Sequence, residues 1–306
     1  MDGVGLESLL NRAKQLAEDK DSHNFAKTIA TAEGLASADD DRRQLYKAEI
    51  VGLRKVNNYK IALEVTEQAE ELFDGSEFEN DVLRNRGIIL ARMGRYKEAI
   101  DILRELTKSS MIEQSIKAHT NLIWVYVMQY ARKDKKIYLD KAEESSNRLL
   151  ELMESYEPGD RLYKVILTNL GHLYFNQNEY DKALEVYQEQ KEKLTEEKDY
   201  PIVYNNLAAV LLEKNNTELA EEYLDIALRY AERYDNHKEI AENCLVRAKI
   251  AMRSEDYHQV KDYYIVAYDS LCDANDLSKA CLVFKDMQKI DFKVNNESIN
   301  RLSKKI

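Results

Sequence analysis

Apolar and small residues recur along the chain at the spacing of one helix face. They fall at i, i+3, i+4 and i+7, which is the pattern of an amphipathic helix packed against a neighbour. A second helical pattern follows each stretch and carries a small residue with a larger one four positions later. The clearest copies of the first pattern are Leu167, Leu170, Gly171 and Tyr174, and Tyr204, Leu207, Ala208 and Leu211. Each copy is therefore predicted to be a pair of helices.

The second helix of each pair is marked by a tetrapeptide that usually begins with a bulky residue and ends in alanine. The copies are YKIA, YKEA, LDKA, YDKA, TELA and YHQV, which end at Ala62, Ala99, Ala142, Ala183, Ala220 and Val260. The intervals between these end residues are 37, 43, 41, 37 and 40. Self-similarity at a period of this size predicts a solenoid of stacked helix pairs.

Small residues mark the places where paired helices are predicted to cross. A glycine inside a helix costs about 1 kcal/mol relative to alanine, so Gly87 and Gly171 need a structural reason. Helices that pack 8–10 Å apart require small side chains at their contact. We expect these glycines and the tetrapeptide alanines Ala99 and Ala183 to lie at such contacts.

Turn residues support the same division into helices. Gly94 in RMGRY and the asparagines in NQNEY and EKNNT stand where first helices are predicted to end. Pro201 is expected in the first turn of a new helix, with Asp199 as its cap. The segment RKDKKIY, Arg132 to Tyr138, is interpreted as a basic loop inserted in its repeat. This loop either is simply solvated or contacts an acidic partner.

The stretch NLGHLYFNQNEYDKALEVY resembles the tetratricopeptide repeat (TPR), as do RNRGIILARMGRYKEAIDIL and NNLAAVLLEKNNTELAEEYLDIAL. The resemblance implies an all-α fold, a right-handed α-solenoid (superhelix) of about seven TPR-like helix pairs. We expect an N-terminal helix pair at 1–40, acting as a cap or degenerate repeat. The superhelix would occupy 41–275, and capping helices 276–306.

Composition and net charge argue against several classes of function. A net charge of -11 argues against nucleic acid as the main partner. No apolar run approaches the roughly 20 residues that span a bilayer, so no membrane association is expected. Cys244, Cys272 and Cys281 form no CxxC pair and are read as reduced core thiols of a cytoplasmic protein. The sequence shows no catalytic motif, and we expect no enzyme activity, no metal site and no cofactor.

A stripe opposite the packing face of the first helices is the predicted binding surface, because the TPR resemblance implies that first helices line a concave groove. Asparagine recurs on this stripe although it is a poor residue inside a helix. An asparagine amide can donate and accept, as one peptide unit does. The candidate peptide-binding residues are Asn85, Asn121, Trp124, Met128, Asn169, His172, Asn176, Asn206 and Lys249.

Each candidate also has a structural interpretation. The asparagines could bridge neighbouring helices, Trp124 could be buried against the adjoining repeat, and His172 could be an ordinary solvent-facing or hydrogen-bonded histidine. The sequence alone leaves both interpretations open for these residues.

Repeat periods of 37 to 40 residues resemble those of the intracellular peptide-pheromone receptors of Gram-positive bacteria. These receptors are the Rap and PlcR/Rgg-like regulators. The resemblance implies a bacterial quorum-sensing regulator that captures a peptide or extended protein segment. The helix-turn-helix of the PlcR group is not found before the repeats, and the first 40 residues look too short for the Rap helical bundle. A constitutive protein–protein scaffold and a Rap-like action on a response regulator are the alternatives, and homodimerisation is left open.

Overall fold

The structure is a computed structural model that describes residues 5–19, 21–73, 77–277 and 279–290. Every regular element among these residues is helical, and they contain no strand. The chain divides into two compact units, Met1–Tyr163 and Lys164–Ile306. The units are described one at a time.

Unit 1 contains eight complete helices among its described residues. They are α1 (Leu6–Glu18), α2 (Ser22–Glu33), α3 (Asp39–Lys55), α4 (Tyr59–Phe73), α5 (Glu77–Arg92), α6 (Tyr96–Leu106), α7 (Ile112–Lys133) and α8 (Ile137–Met153). Each odd-numbered helix packs on the next helix to form a pair, and each pair packs on its successor. The first helices α1, α3, α5 and α7 also contact one another in order. Unit 1 is therefore an array of helix pairs with its first helices side by side.

Unit 2 continues the same pattern after α9 (Asp160–Asn176), which begins in unit 1. Its helices are α10 (Tyr180–Glu192), α11 (Tyr200–Glu213), α12 (Thr217–Arg233), α13 (His237–Arg253) and α14 (Tyr257–Asp273), and residues 277 and 279–290 are helical as well. The pairs α11–α12 and α13–α14 pack together, and α11 contacts α13 directly. The all-α solenoid of TPR-like helix pairs is confirmed, with seven pairs in the described residues.

The predicted helix crossings are confirmed by the contacts of their small residues. A Cβ atom added to Gly87 would lie 3.0 Å from Leu103 of the paired helix α6. Ala99 and Ala183 have 0% exposed surface. Larger residues at these positions would hold the two helices of a pair apart. The recurring small side chains thus set the spacing within each pair.

Left-handed turns end the first helices where the sequence predicts them. Gly94 has a φ of 81°, and Asn178 and Asn215 have φ values of 62° and 61°. Glycine and asparagine tolerate this conformation better than other residues. Pro201 lies in the first turn of α11, as predicted. Asp199 occupies the N-cap position of α11, as predicted, but its side chain makes no capping bond and lies 3.2 Å from Lys164 Nζ.

The predicted basic loop is mostly helix. Helix α7 is 22 residues long and ends at Lys133, and α8 begins at Ile137. Asp134, with a φ of 49°, makes the turn between them. The extra residues of this repeat therefore lengthen its helices. The boundaries at residues 40 and 275 stay a prediction, and the last part of the predicted capping helices, 291–306, lies outside the described residues.

Candidate peptide-binding faces

The exposed sides of the first helices carry polar contacts between neighbouring pairs. In unit 1, α3, α5 and α7 lie next to one another. The unit-1 band is our name for eight side chains on these helices, some of them joined between helices. They are Arg54, Asp81, Arg84, Asn85, Arg92, Asn121, Trp124 and Met128. Arg54 belongs to α3, the next four to α5 and the last three to α7.

Asn85 joins α3 to α5 at the centre of this band. Its side chain is buried, with 6% of its surface exposed. Arg54 donates through Nη1 to Asn85 Oδ1, and Asn85 Nδ2 donates to the main-chain oxygen of Asp81 at 2.7 Å. Both functions of the amide are therefore engaged within unit 1, so its bridging role between helices is observed. Its role as a peptide-binding residue stays a prediction.

Trp124 joins α5 to α7. The guanidinium carbon of Arg92 lies 4.8 Å from the centre of the Trp124 ring, which is a cation–π contact. Trp124 is half-buried, and Met128 follows one turn later in α7 and is also half-buried. The indole therefore keeps part of its surface accessible on the first-helix side.

Asn121 is half-buried on α7, and its Nδ2 donates to the oxygen of Lys117 one turn earlier at 2.8 Å. Lys117 in turn lies 2.6 Å from Glu113. The Nδ2 of Asn121 thus bonds within its own helix, as Asn85 Nδ2 also does. This local bond orients the amide and leaves its Oδ1 as the group able to accept from a ligand.

Unit 2 has its own group of polar residues on the first helices, the unit-2 band, formed by His172, Asn206, Glu242 and Lys279. His172 in α9 is hydrogen-bonded to the side chain of Asn206 in α11. Burial lowers the pKa of His172, while Asn206 and Glu242 partly oppose this shift. Burial also disfavours the Glu242 carboxylate, but its ion pair with Lys279 holds its pKa below the usual range.

The remaining candidates lie on the same first helices of unit 2. Asn169 is buried, with 7% of its surface exposed. Asn176 donates to the main-chain oxygen of His172 at 2.7 Å, and Lys249 is exposed on α13. The Nδ2 atom of Asn206 is shielded from solvent and has no hydrogen-bond partner among the described residues. Their assignment as ligand contacts stays a prediction.

Sequence reasoning missed a buried network next to Asn206. Asn205, only 3% exposed, donates to the oxygen of Glu239 at 3.0 Å and accepts from Asn243 Nδ2 at 3.0 Å. Asn243, with no exposed surface, also donates to the oxygen of Leu224 at 2.7 Å. The signal was the recurrence of asparagine 38 positions later, which is one repeat period.

Sequence reasoning also missed Arg54 and left Arg86 unexplained on the packing face of α5. Arg86 lies 2.6 Å from Glu70 and 3.5 Å from Glu67, both in α4. An ion pair between consecutive repeats therefore satisfies this charge. Arg54 has no equivalent carboxylate partner among the described residues.

Metal-binding groups, membrane-spanning helices and disulfides were the other features considered among the described residues. They contain no group of three or more His, Cys, Asp and Glu side chains arranged to hold a metal ion. None of their helices combines the length and apolar character that crossing a membrane requires. Cys244, Cys272 and Cys281 form no disulfide, and Cys244 is buried as predicted for a core thiol. The same prediction is wrong for Cys281, which is exposed, and Cys272 is half-buried.

Residues 59–229, more than half of the 306-residue chain, match the family described as the SusR N-terminal TPR domain. The chain belongs to this TPR family. Residues 269–292 also match the PPR repeat. No curated protein is similar to the chain in sequence. The match with the TPR family confirms the resemblance that the repeat stretches indicated.

Solved structures share the TPR fold at low sequence identity. The apo form of the quorum sensor NprR from B. thuringiensis is 12% identical with a TM-score of 0.54, and the match covers 92% of this chain and 86% of that one. A Rap protein complexed with Competence and Sporulation Factor is also 12% identical, with a TM-score of 0.57 and coverage of 95% and 87%. The TPR sensor protein PH0952 from Pyrococcus horikoshii is 16% identical, with a TM-score of 0.59 and coverage of 92% and 42%.

Proposed function

We propose that the chain is a non-catalytic binding protein that captures a peptide or an extended protein segment on the first helices of its TPR array. The observation that carries this proposal is the side-by-side arrangement of α3, α5 and α7. Their contacts place a half-buried indole, a guanidinium and amides on a side that the pairing of helices does not use. Such a mixture of an aromatic surface with hydrogen-bonding groups suits a peptide.

Two proteins of similar structure have been solved with bound peptides, and these complexes support the proposal. NprR has been solved in complex with its cognate peptide NprX, and that structure matches this chain with a TM-score of 0.56 at 13% identity. A Rap regulator of the plasmid pLS20 has been solved with the Phr* peptide, with a TM-score of 0.53 at 13% identity. We therefore propose a regulatory receptor of bacterial quorum-sensing type, acting in the cytoplasm.

Regulation would follow from the repeat architecture. Each helix pair contacts mainly its neighbours, so a ligand that bridges several first helices favours one spacing between them. A ligand with higher affinity for that spacing shifts the population of the array toward it. The altered array would then present a different surface to a further partner.

The experiment that tests the function is a binding screen with pools of short peptides, read by thermal stabilisation and confirmed by calorimetry. Trp124→Ala and Asn121→Ala together should weaken binding of any peptide that uses the unit-1 band, and Asn206→Ala tests the unit-2 band. Glu218→Ala and Glu221→Ala on the exposed side of α12 serve as controls. Absence of peptide binding, with a folded protein partner recovered instead, would support the scaffold alternative.

A further inference from the structure

The turns inside the helix pairs of unit 1 are basic. Six turns within pairs contain a residue with a left-handed φ, which is Asn57, Gly94 or Asp134 in unit 1 and Asn178, Asn215 or Glu255 in unit 2. From two residues before to four residues after that position, basic residues outnumber acidic ones in each of the three turns of unit 1. At the same positions acidic residues outnumber basic ones in each of the three turns of unit 2. The basic turns of unit 1 therefore stand out in a chain with a net charge of -11.

The turn between α7 and α8 carries the densest group of cations. Arg132 and Lys133 end α7, Lys135 and Lys136 precede α8, and all four side chains are exposed. Lys133 lies 5.8 Å from the centre of the Tyr138 ring, but none of the four forms an ion pair with a carboxylate among the described residues. The charges of this turn are therefore available to a partner.

Other exposed cations of unit 1 show the usual alternative. Lys108 lies 2.7 Å from Glu105 three residues earlier in the chain, and Arg95 Nε donates to Glu98 Oε1 at 2.7 Å. A nearby glutamate thus satisfies these charges locally, as in many surface helices. The turn between α7 and α8 has no such arrangement.

Helix stability explains only half of this group. The C-terminus of a helix is the negative end of its dipole, so Arg132 and Lys133 are well placed at the end of α7. The N-terminus is the positive end, where acidic residues are favoured. Lys135 and Lys136 stand just before α8, and Lys136 makes no capping bond with its side chain. These two lysines therefore do not stabilise the helix that follows them.

The turn between α5 and α6 lies beside these cations. A Cβ atom added to Gly94 in this turn would lie 3.2 Å from Arg132 Nη1. Lys97, in the first turn of α6, adds another exposed cation. The two neighbouring turns together form one edge of unit 1.

Two large apolar side chains are exposed on the same edge. Met93, directly before Gly94, is 42% exposed, and Ile137, directly after Lys136, is 51% exposed. Methionine is enriched at protein interfaces, where apolar side chains are surrounded by a polar rim. We call Met93, Lys97, Arg132, Lys133, Lys135, Lys136 and Ile137 the basic edge.

We propose that the basic edge is a docking surface for a segment of an acidic protein. Carboxylates of that segment pair with the exposed cations, and its apolar side chains pack on Met93 and Ile137. Complementary charge of this kind favours the correct partner and speeds association. The basic edge is built from turns and not from the first-helix bands, so this inference goes beyond peptide capture and does not depend on it.

An acidic protein segment fits the basic edge better than nucleic acid or a membrane does. Exposed carboxylates interrupt the edge, because Asp134 and Asp140 stand among the cations and Glu98 follows Lys97. A continuous row of phosphates would meet these carboxylates and the net charge of -11. Membrane binding by an amphipathic surface requires an extended apolar face, whereas a protein segment can match two separate apolar side chains.

The probe for this surface is a fluorescein-labelled pool of dodecapeptides rich in Glu, Asp and Leu. Titration with the full chain is read by fluorescence anisotropy. We expect saturable binding that weakens as the salt concentration rises, because exposed charges are screened. A matched pool with Gln and Asn in place of Glu and Asp should bind weakly. A labelled DNA duplex and vesicles of phosphatidylserine and phosphatidylcholine should also bind more weakly than the acidic pool.

A triple variant locates the charged contacts. Lys133→Gln, Lys135→Gln and Lys136→Gln together should weaken binding of the acidic pool about tenfold, because several modest ion pairs add up to a difference of that size. The matched control combines Arg12→Gln, Lys14→Gln and Lys27→Gln at exposed positions of α1 and α2. Both variants change the net charge equally, so the control should keep the affinity of the unchanged protein.

A double variant tests the apolar contacts. Met93→Ser with Ile137→Ser should weaken binding of the acidic pool several-fold. The same variant should bind a pool with Ser in place of Leu as well as the unchanged protein does. Both side chains are exposed, and circular dichroism checks that the variant keeps its helical content.

Several outcomes would overturn the docking surface. Absence of saturable binding by the acidic pool is one, and equal weakening by the two triple variants is another, since attraction would then depend only on total charge. Tighter binding of the DNA duplex or the vesicles would assign the edge to a different partner. Binding lost in Trp124→Ala with Asn121→Ala, but kept in the triple lysine variant, would place the acidic pool on the unit-1 band and leave peptide capture in place.

Discussion

Gly171 of α9 lies directly against the ring of Tyr187 in α10. A Cβ atom added to Gly171 would come within 2.3 Å of the ring carbon Cε1, and Tyr187 is only 1% exposed. The ring therefore occupies the volume that any other residue at position 171 would need. This contact fixes the separation of the two helices and explains why a helix carries a glycine at its centre.

Replacing Gly171 with alanine should destabilise the protein even though alanine is the better helix former. The gain in helix propensity is about 1 kcal/mol, but overpacking a filled core typically costs 1–3 kcal/mol. The difference predicts a net loss of about 1 kcal/mol in the free energy of unfolding, measured by urea denaturation. Gly171→Val should lose more than Gly171→Ala.

Gly159→Ala is the matched control, because an added Cβ there would meet no atom within 4 Å. Combining Gly171→Ala with Tyr187→Leu should recover part of the lost stability by removing the ring. Equal stability of Gly171→Ala and the unchanged protein would show that the ring moves aside without penalty.

Asn243 is the centre of the buried network in unit 2, and its removal should be costly. Asn243→Ala leaves Asn205 Oδ1 without its donor and Arg247 Nε without its acceptor. Each buried group without a partner costs about 1–3 kcal/mol. We expect a loss of at least that size in the free energy of unfolding, with the helical circular dichroism at 25 °C retained.

Lys249→Ala on the same helix should change stability by no more than about 0.5 kcal/mol, since that side chain is exposed. A loss for Asn243→Ala no larger than for Lys249→Ala would mean that water replaces the missing amide, so the network would not contribute to stability.

The sequence predicted features that depend on residue size and spacing within a repeat. Gly171 and Ala183 follow from such spacing, because the size limit at a crossing recurs in each pair. The network was missed because Asn205 and Asn206 differ by one position, and one position rotates a side chain by about 100° around the helix. The role of Arg54 was missed because its partner, Asn85, lies 31 residues away on another helix.

Glu255 ends the first helix of its pair with a φ of 58°, where the other turns use glycine, asparagine or aspartate. The left-handed conformation costs about 1–2 kcal/mol for most residues, and asparagine adopts it more readily. Glu255→Asn should therefore raise the free energy of unfolding by about 1 kcal/mol or less. The measurement is a urea denaturation series at neutral pH.

Glu232→Asn is the control for this substitution, because Glu232 lies in the helical part of α12 and is exposed. Asparagine has lower helix propensity than glutamate, so this variant should lose a little stability. A stability loss at both positions would show that the conformation at Glu255 carries no strain.

Glu49 in α3 gives unit 1 a pH-dependent stability. Burial, together with the negative charge of Glu33, raises the pKa of Glu49 from 4.5 to about 7. In the unfolded chain the group titrates near its ordinary value. Between these two pH values the folded protein binds more protons than the unfolded protein, so the free energy of unfolding falls as pH rises through this range.

Glu49→Gln removes the ionisable group and should remove this part of the pH dependence. Glutamine keeps a similar shape and stays neutral, so the variant should match the unchanged protein near pH 5 and exceed its stability at pH 8. Urea denaturation at several pH values gives the free energy of unfolding of both proteins. The difference between them isolates the effect of Glu49, because the other carboxylates contribute equally to both. Glu64→Gln, an exposed position on α4, should leave the slope unchanged. Parallel curves for Glu49→Gln and the unchanged protein would show that the Glu49 carboxylate is as well solvated when folded as when unfolded.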